Sequence, residues 1–264
     1  MLQHNIIKTK LLIPRSSDDT VTRKRLFNAL DEGLQKRLTL ICAPAGFGKT
    51  TLVSSWVSSG SHPVAWISLD TRDNTLPGFL SYFWEALLPF IPDKANIMIS
   101  SLRSEKVISS EGNLVNLVNA LSEYNNPLTI VLDDYHNIEN KDIHILVRQL
   151  IQDAPPNLNL MMVTRSDPPL PLGRLRAKLE LLELRSNDLA FAKDEFKHFI
   201  TENSQLDFNE KQLDLLYTQT EGWITGARLA LISLSGDSDM ASVLENFSGT
   251  DRNIMDYLME EVLE

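Results

Sequence analysis

The chain has a single cysteine, Cys42, so no disulfide can form within it, and its place inside an apolar run marks a packed thiol. No stretch reaches the roughly 20 apolar residues that a membrane-spanning helix needs. Met1-Leu2-Gln3-His4-Asn5 lacks the charged-then-apolar pattern of a secretory leader. Basic residues are in deficit: 25 Lys and Arg stand against 35 Asp and Glu, a net charge of -10. Such a field repels polyanions, which argues against a nucleic-acid footprint on this segment despite the local run Arg23-Lys24-Arg25. His4, His62, His136, His144 and His198 are scattered without zinc spacing, and no G-x-S-x-G occurs, so neither a zinc centre nor a serine nucleophile is legible. His136 follows an acidic pair and is read as a supporting residue rather than a base. With no low-complexity tract, 43% apolar and 23% charged residues, the composition is that of a folded cytoplasmic protein.

A length of 264 residues exceeds one minimal core, so an α/β domain with a smaller attached unit is expected. Five apolar runs of strand length, Leu38 to Ala43, Val64 to Leu69, Leu128 to Asp133, Leu158 to Thr164 and Leu179 to Leu184, alternate with helical patterns. Those helices are predicted over Thr50 to Ser58, Pro77 to Phe90, Asn113 to Tyr124 and Asp142 to Gln152. This alternation is that of βαβ units around a parallel sheet buried on both faces. The aromatic cluster Phe79, Tyr82, Phe83 and Trp84 has helical spacing and reads as core. After about Ser186 only helical patterns follow, over Lys193 to Thr201, Asn209 to Gln219, Trp223 to Ser235 and Asp251 to Glu264, so a smaller all-α domain begins there. The apolar stripe Ile254, Met255, Leu258, Met259, Val262 and Leu263 runs on without a cap. Two readings stay open: a chain cut from something longer, or a terminal helix packed on its own domain.

Ala43-Pro44-Ala45-Gly46-Phe47-Gly48-Lys49-Thr50 follows the first strand and opens a helix, the setting that G-x-x-x-x-G-K-[ST] requires. In such a loop the backbone from Ala45 through Gly46, Phe47 and Gly48 turns its N–H groups toward phosphates, aided by the helix dipole. Lys49 reaches the β- and γ-phosphates, the Thr50 hydroxyl sits on Mg²⁺, and Thr51 is a candidate α-phosphate contact. Ala43 stands where the strict pattern has glycine, which alters the turn without removing a ligand. The chain is therefore expected to bind ATP or ADP with Mg²⁺. Thr129-Ile130-Val131-Leu132-Asp133-Asp134 is an apolar strand ending in two carboxylates, where a Walker B pair belongs. Asp133 is assigned to the metal shell and Asp134 to the attacking water, and aspartate in the second place, one methylene shorter than glutamate, suits slow hydrolysis. Arg165 follows another buried strand, at the carboxyl edge where ligands sit in open α/β sheets. It serves there as a γ-phosphate contact or pairs with Asp167.

Several further segments are not general features of phosphate-binding loops: Lys10-Leu11 with Ile13-Pro14, Arg25-Leu26, Trp66-Ile67-Ser68-Leu69-Asp70 with Asp73-Asn74, and Leu132-Asp133-Asp134-Tyr135-His136. They continue with Thr164-Arg165-Ser166-Asp167-Pro168-Pro169-Leu170, Asp188-Leu189-Ala190-Phe191, Gly222-Trp223-Ile224-Thr225-Gly226, and Asp256-Tyr257-Leu258 with Glu261-Val262-Leu263. In order and combination the sequence resembles the N-terminal nucleotide-binding region of the large ATP-binding LuxR-type transcriptional activators, the MalT-like branch of the signal-transducing (STAND) P-loop ATPases. That resemblance implies an α/β P-loop NTPase domain over 37–190 with a five-stranded parallel sheet of order 5-1-4-3-2. It implies an N-terminal segment, 1–36, contributing to the nucleotide pocket, a helical domain over 191–250, and the start of a winged-helix domain over 251–264. It also implies a switch. ADP goes with a closed monomer and ATP with a self-associating form, while inducer and DNA are contacted by parts outside this chain. By the same resemblance Val21 and Arg23, with Thr22 between them, hold the base, unless this stretch is an ordinary connector. Related ATPases place a nucleotide-sensing glycine-x-proline where this chain has Gly222-Trp223, and without that proline Trp223 reads as a buried aromatic at a helix start. Two other functions stay open beside the switch: a stand-alone NTPase or kinase, and a nucleotide-sensing interaction protein.

Overall fold

A computed structural model describes residues 6–15, 21–103, 110–204 and 206–235. Five strands, β1 (Leu38–Cys42), β2 (Val64–Ser68), β3 (Leu128–Asp133), β4 (Leu158–Thr164) and β5 (Leu181–Arg185), form one parallel sheet in the order β2-β3-β4-β1-β5. This is the expected 5-1-4-3-2 order. Helices α1 (Lys24–Gly33), α2 (Lys49–Ser59), α3 (Leu76–Leu87), α4 (Pro92–Arg103), α5 (Ser110–Ser122), α6 (Lys141–Asp153) and α7 (Leu172–Ala177) connect or precede the strands. Then come α8 (Ser186–Leu189), α9 (Lys193–Asn203), α10 (Glu210–Thr220) and α11 (Ile224–Ser235).

Every residue of β1, β3 and β4 is buried, whereas β2 and β5 are partly exposed at the sheet edges. Strands covered on both faces need continuous apolar runs, which Leu38–Cys42 and Leu158–Thr164 supply. The registers Cys42↔Thr164, Leu132↔Met162 and Ser68↔Asp133 bring the carboxyl ends of four strands to one edge.

Two differences from the sequence pattern have local causes. The fifth strand begins at Leu181 rather than Leu179, because Leu179 takes a φ of 58° after α7 and is 77% exposed, a conformation that no strand accommodates. Helix α4, absent from the pattern, buries Ala95, Met98 and Ile99 but leaves Ile97 62% exposed, which blurs the apolar stripe that marks a helix. The pattern over Asp251 to Glu264 lies outside the described residues. No helix among the described residues is long and apolar enough to cross a membrane.

The chain forms two compact units. One takes the described residues up to Pro14, Phe27–Cys42 and Trp56–Leu184. Its core joins the sheet to α3, α4, α5 and α6 through residues such as Ile67, Phe79, Phe83, Trp84, Leu117 and Leu146. The other takes the described residues of Arg15–Leu26, Ala43–Ser55 and those from Arg185 onward, with a core of Phe191, Phe196, Phe199, Ile200, Leu216, Ala227 and Ala230.

In the sheet unit the N-terminal segment is fastened by Lys10. Its ammonium lies 2.6 Å from Asp73 and 2.9 Å from Asp70, and it stands over the Tyr82 ring. Asp73 is 2% exposed and also accepts the Asp70 amide, 2.8 Å away. Removing one partner of a buried ion pair strands the other charge. Lys10, however, keeps Asp70 2.9 Å away, so Asp73→Ala is expected to destabilise the protein by about 1.5–3 kcal/mol, the worth of hydrogen bonds to a charged group, read as a lowered urea midpoint, whereas Arg72→Ala, at an exposed pair, should leave that midpoint nearly unchanged.

Candidate functional site

The segment after β1 builds a tight turn. Gly46 and Gly48 take φ values of 78° and 69°, in the left-handed region that side chains with a Cβ disfavour. At Gly46 an added Cβ would also lie 2.7 Å from the Thr225 hydroxyl and the Trp223 indole nitrogen. Helix α2 opens directly from this turn, its first bond running from the Leu52 amide to the Gly48 carbonyl at 2.8 Å. The amides of Lys49, Thr50 and Thr51 thus belong to the helix end rather than to its i→i−4 ladder, and they carry the positive end of the dipole. Lys49 is 8% exposed, and its ammonium donates to the Pro44 carbonyl at 2.8 Å. The lysine is folded back across the loop that its own backbone forms.

Two residues that the spacing does not reveal hold this loop with three donors. The Trp223 indole N–H donates to the Ala45 carbonyl at 3.2 Å. Thr225 donates to the Gly46 carbonyl twice, from its hydroxyl at 3.0 Å and its backbone amide at 3.2 Å. Trp223 does stand at a helix start, accepting the first α11 bond from the Ala227 amide, yet it is only partly buried and its polar edge is engaged on the loop.

Arg23 is 5% exposed and fully engaged. It donates to the carbonyls of Leu189 and Ala190, each at 2.7 Å, and to Glu195, and it lies over the Phe191 ring. Arg25 reaches Asp188, Ala190 and Glu195. Val21 packs on the apolar cluster of the helices that follow. The stretch from Val21 to Arg25 is therefore buckled to the segment 188–195, and Arg23 holds the backbone there rather than projecting a free guanidinium.

In the sheet unit, Asp133 ends β3 at 2% exposure, and its carboxylate accepts the Asp134 amide at 3.1 Å. Asp134 takes a left-handed φ of 55°, a conformation that aspartate tolerates better than most residues. Its half-exposed carboxylate lies 4.0 Å from His136. The next residue anchors this turn: the buried Tyr135 hydroxyl bonds the His144 ring nitrogen on α6 at 2.8 Å. Burial pushes the Tyr135 hydroxyl above and the His144 imidazole below its ordinary pKa, so the pair stays neutral at pH 7. Asn137 and Asn74 tie the same turn to the end of β2 through the Leu69 and Asn137 carbonyls. Arg165 follows β4, partly buried, beside the Thr164 hydroxyl bond to the Ser166 carbonyl. Thr50 carries a hydroxyl and, in the sheet unit, Asp133 a carboxylate, each by itself a hard oxygen donor of the kind that Mg²⁺ takes.

No family model matches the chain. The HTH-type transcriptional regulator MalT of Serratia proteamaculans is 34% identical over 263 residues, a match covering 98% of this chain and 29% of the regulator. The chain thus spans under a third of that relative's length, and it is a MalT-like N-terminal region. Among solved structures, the Walker-type ATPase PABY2304 of Pyrococcus abyssi superposes with a TM-score of 0.59 at 16% identity, over 94% of this chain and 77% of its own. A signal transduction ATPase with numerous domains and a tetratricopeptide repeat sensor, from Pyrococcus horikoshii, gives 0.58 at 15% identity, over 88% and 33%. The fold is that of the P-loop ATPases.

Glu195 offers a check on the buckle beside the loop. Burial pushes its carboxyl up, but the Ala192 amide and the guanidiniums of Arg23 and Arg25 outweigh this and hold it below its ordinary value. A depressed carboxyl stabilises the fold above its unfolded pKa, about 4.3, and that contribution fades as pH falls through the lowered value. Urea midpoints of the native chain and of Glu195→Gln should therefore differ most near pH 7 and draw together as pH falls below the ordinary carboxyl range.

Proposed function

We propose that this MalT-like chain is the ATP-binding switch module of a transcriptional regulator, in which the bound nucleotide sets the protein's association state and slow hydrolysis resets it. The observation that supports this most is the left-handed turn at Gly46 and Gly48 opening into α2, on a chain that is MalT-like along nearly its whole length.

In this reading the amides from Ala45 to Thr51 receive the phosphates and Lys49 leaves the Pro44 carbonyl to meet the β/γ oxygens. Val21 and Arg23 shape the base pocket, Arg23 through the carbonyls it holds. The Thr50 hydroxyl and the Asp133 carboxylate hold Mg²⁺, which when bound supplies charge neutralisation at the phosphates. Asp134, presented by its left-handed backbone, orients the attacking water, and Arg165 meets the γ-phosphate. The order β3-β4-β1 supports these roles, since β4 and its Arg165 stand between the strand ending at Asp133 and the strand that leads into the loop. We assign the described residues up to 36 to the pocket, 37–190 to the nucleotide domain and the described residues from 191 to 235 to a helical domain; the winged-helix start expected over 251–264 lies outside the described residues. The protein acts in the cytoplasm. Self-association belongs to the ATP form, and inducer and DNA engage parts of the regulator other than this chain.

The identity of the copurifying nucleotide, determined by mass, is the direct test. Retained ADP is the expected result, and rapid ATP turnover without inducer would sink the switch. Lys49→Ala should abolish nucleotide binding. Asp134→Ala should keep binding and slow hydrolysis about a hundredfold, and equal loss of binding in both variants would contradict the assignment.

A further inference from the structure

We infer that Trp223 and Thr225 are positioning residues for phosphate binding: by holding the Ala45 and Gly46 carbonyls, the start of α11 aims the Gly46 and Phe47 amides at the phosphates.

The inference rests on the phosphate-loop reading and follows from peptide geometry. In a trans peptide the C=O and the following N–H lie in one plane and point in opposite directions, and no cis peptide occurs in the described chain. The Ala45 carbonyl shares a peptide unit with the Gly46 amide, and the Gly46 carbonyl with the Phe47 amide. Trp223 holds the first carbonyl and Thr225 the second, the latter with two donors. Both carbonyls are thereby drawn toward α11, and both amides are turned to the opposite face of the loop. Glycine at position 46 makes this orientation soft, because its φ and ψ are the least restricted in the chain. External donors are therefore what selects one setting of these two peptide units.

The donors are themselves built in. The Thr225 amide is in the first turn of α11, where a helix has no internal acceptor to offer, and the loop carbonyl supplies one. The Trp223 ring is seated over Gly226, where an added Cβ would fall 2.5 Å from the ring, so the glycine leaves room for the indole to lie back and point its N–H at the loop. Ile224 completes the contact, its terminal methyl standing 2.9 Å from where a Cβ on Gly48 would be. Preset donors cost no reorganisation when an anion arrives, which is where their contribution to affinity lies.

The test compares the purified chain with Trp223→Phe, which keeps the ring and loses the donor, and with Thr225→Val, which keeps the shape and loses the hydroxyl. Thr225→Ser serves as the rescue and Lys49→Ala reports on the phosphate loop itself. ADP affinity is expected to fall roughly three- to tenfold in each of the first two, the worth of one hydrogen bond, and to recover in Thr225→Ser. Amide exchange followed by NMR supplies a readout that a merely structural role would not move. On ADP binding the native chain should protect Gly46, Phe47, Thr50 and Thr51 alike, while the Trp223→Phe, Thr225→Val double variant should lose protection at Gly46, lose part of it at Phe47, whose peptide unit the Thr225 amide still holds, and keep it at Thr50 and Thr51. If Lys49→Ala abolishes binding but the α11 variants bind ADP as the native chain does, with all four amides protected, the positioning role is overturned and the phosphate loop stands. If Lys49→Ala still binds ADP normally, the phosphate-loop reading falls and this inference falls with it.

Discussion

A strand covered on both faces can satisfy its backbone only through its neighbours, and the architecture of this protein follows from three such strands. In β1, β3 and β4 every residue is buried, so each N–H and C=O must be met along the ladder. The parallel registers that meet them also bring Cys42, Asp133 and Thr164 to one edge. Chain leaving that edge escapes the ladder, and there the backbone takes up conformations a strand forbids: left-handed at Gly46 and Gly48 after β1, and left-handed at Asp134 after β3. Regular structure ends at that edge, and the backbone beyond it is no longer bound to the ladder's conformation.

The turns beyond the ladder are held by groups placed far away in sequence. Tyr135 and His144 pin the turn after β3 through a bond between two neutral side chains, kept neutral by burial. Asn74 and Asn137 bind it to the end of β2. Arg23 and Arg25 buckle the start of α1 and the residue before it to the segment around Glu195. Each fastening puts a charged or polar group under partial burial, where hydrogen bonds are stronger and their loss more costly. The net charge of -10 does not describe these places: the first two are neutral, and at the third two guanidiniums meet one carboxylate.

Much of this was legible in the residues. Apolar runs marked the five strands to within about two residues because strands buried on both faces leave no room for polar interruption. The turn that leads from β1 into α2 was legible because glycines ahead of a helix start mark left-handed backbone, which Gly46 and Gly48 take. Helix α4 was not, since Ile97 on the outer face erased its periodicity. The start of β5 was misplaced because Leu179 is apolar yet exposed, and the pattern sees hydrophobicity rather than φ. The resemblance points to Arg23 for the base, and the structure adds partners for its guanidinium, the carbonyls of Leu189 and Ala190. No spacing rule encodes those partners.

By itself the sequence determined the strand–loop–helix unit, the acidic end of β3 and the resemblance to a MalT-like region, because each rests on neighbours along the chain or on the order of short motifs. Only the tertiary structure decided what stands behind the loop. Trp223 and Thr225 meet Ala45 and Gly46 across 178 and 179 residues, and a hydrogen bond between a side chain and a backbone carbonyl leaves no trace in the identity of the accepting residue. Every residue has that carbonyl, so the acceptor cannot be read from its type, and its partner is known only once the chain has folded back upon it.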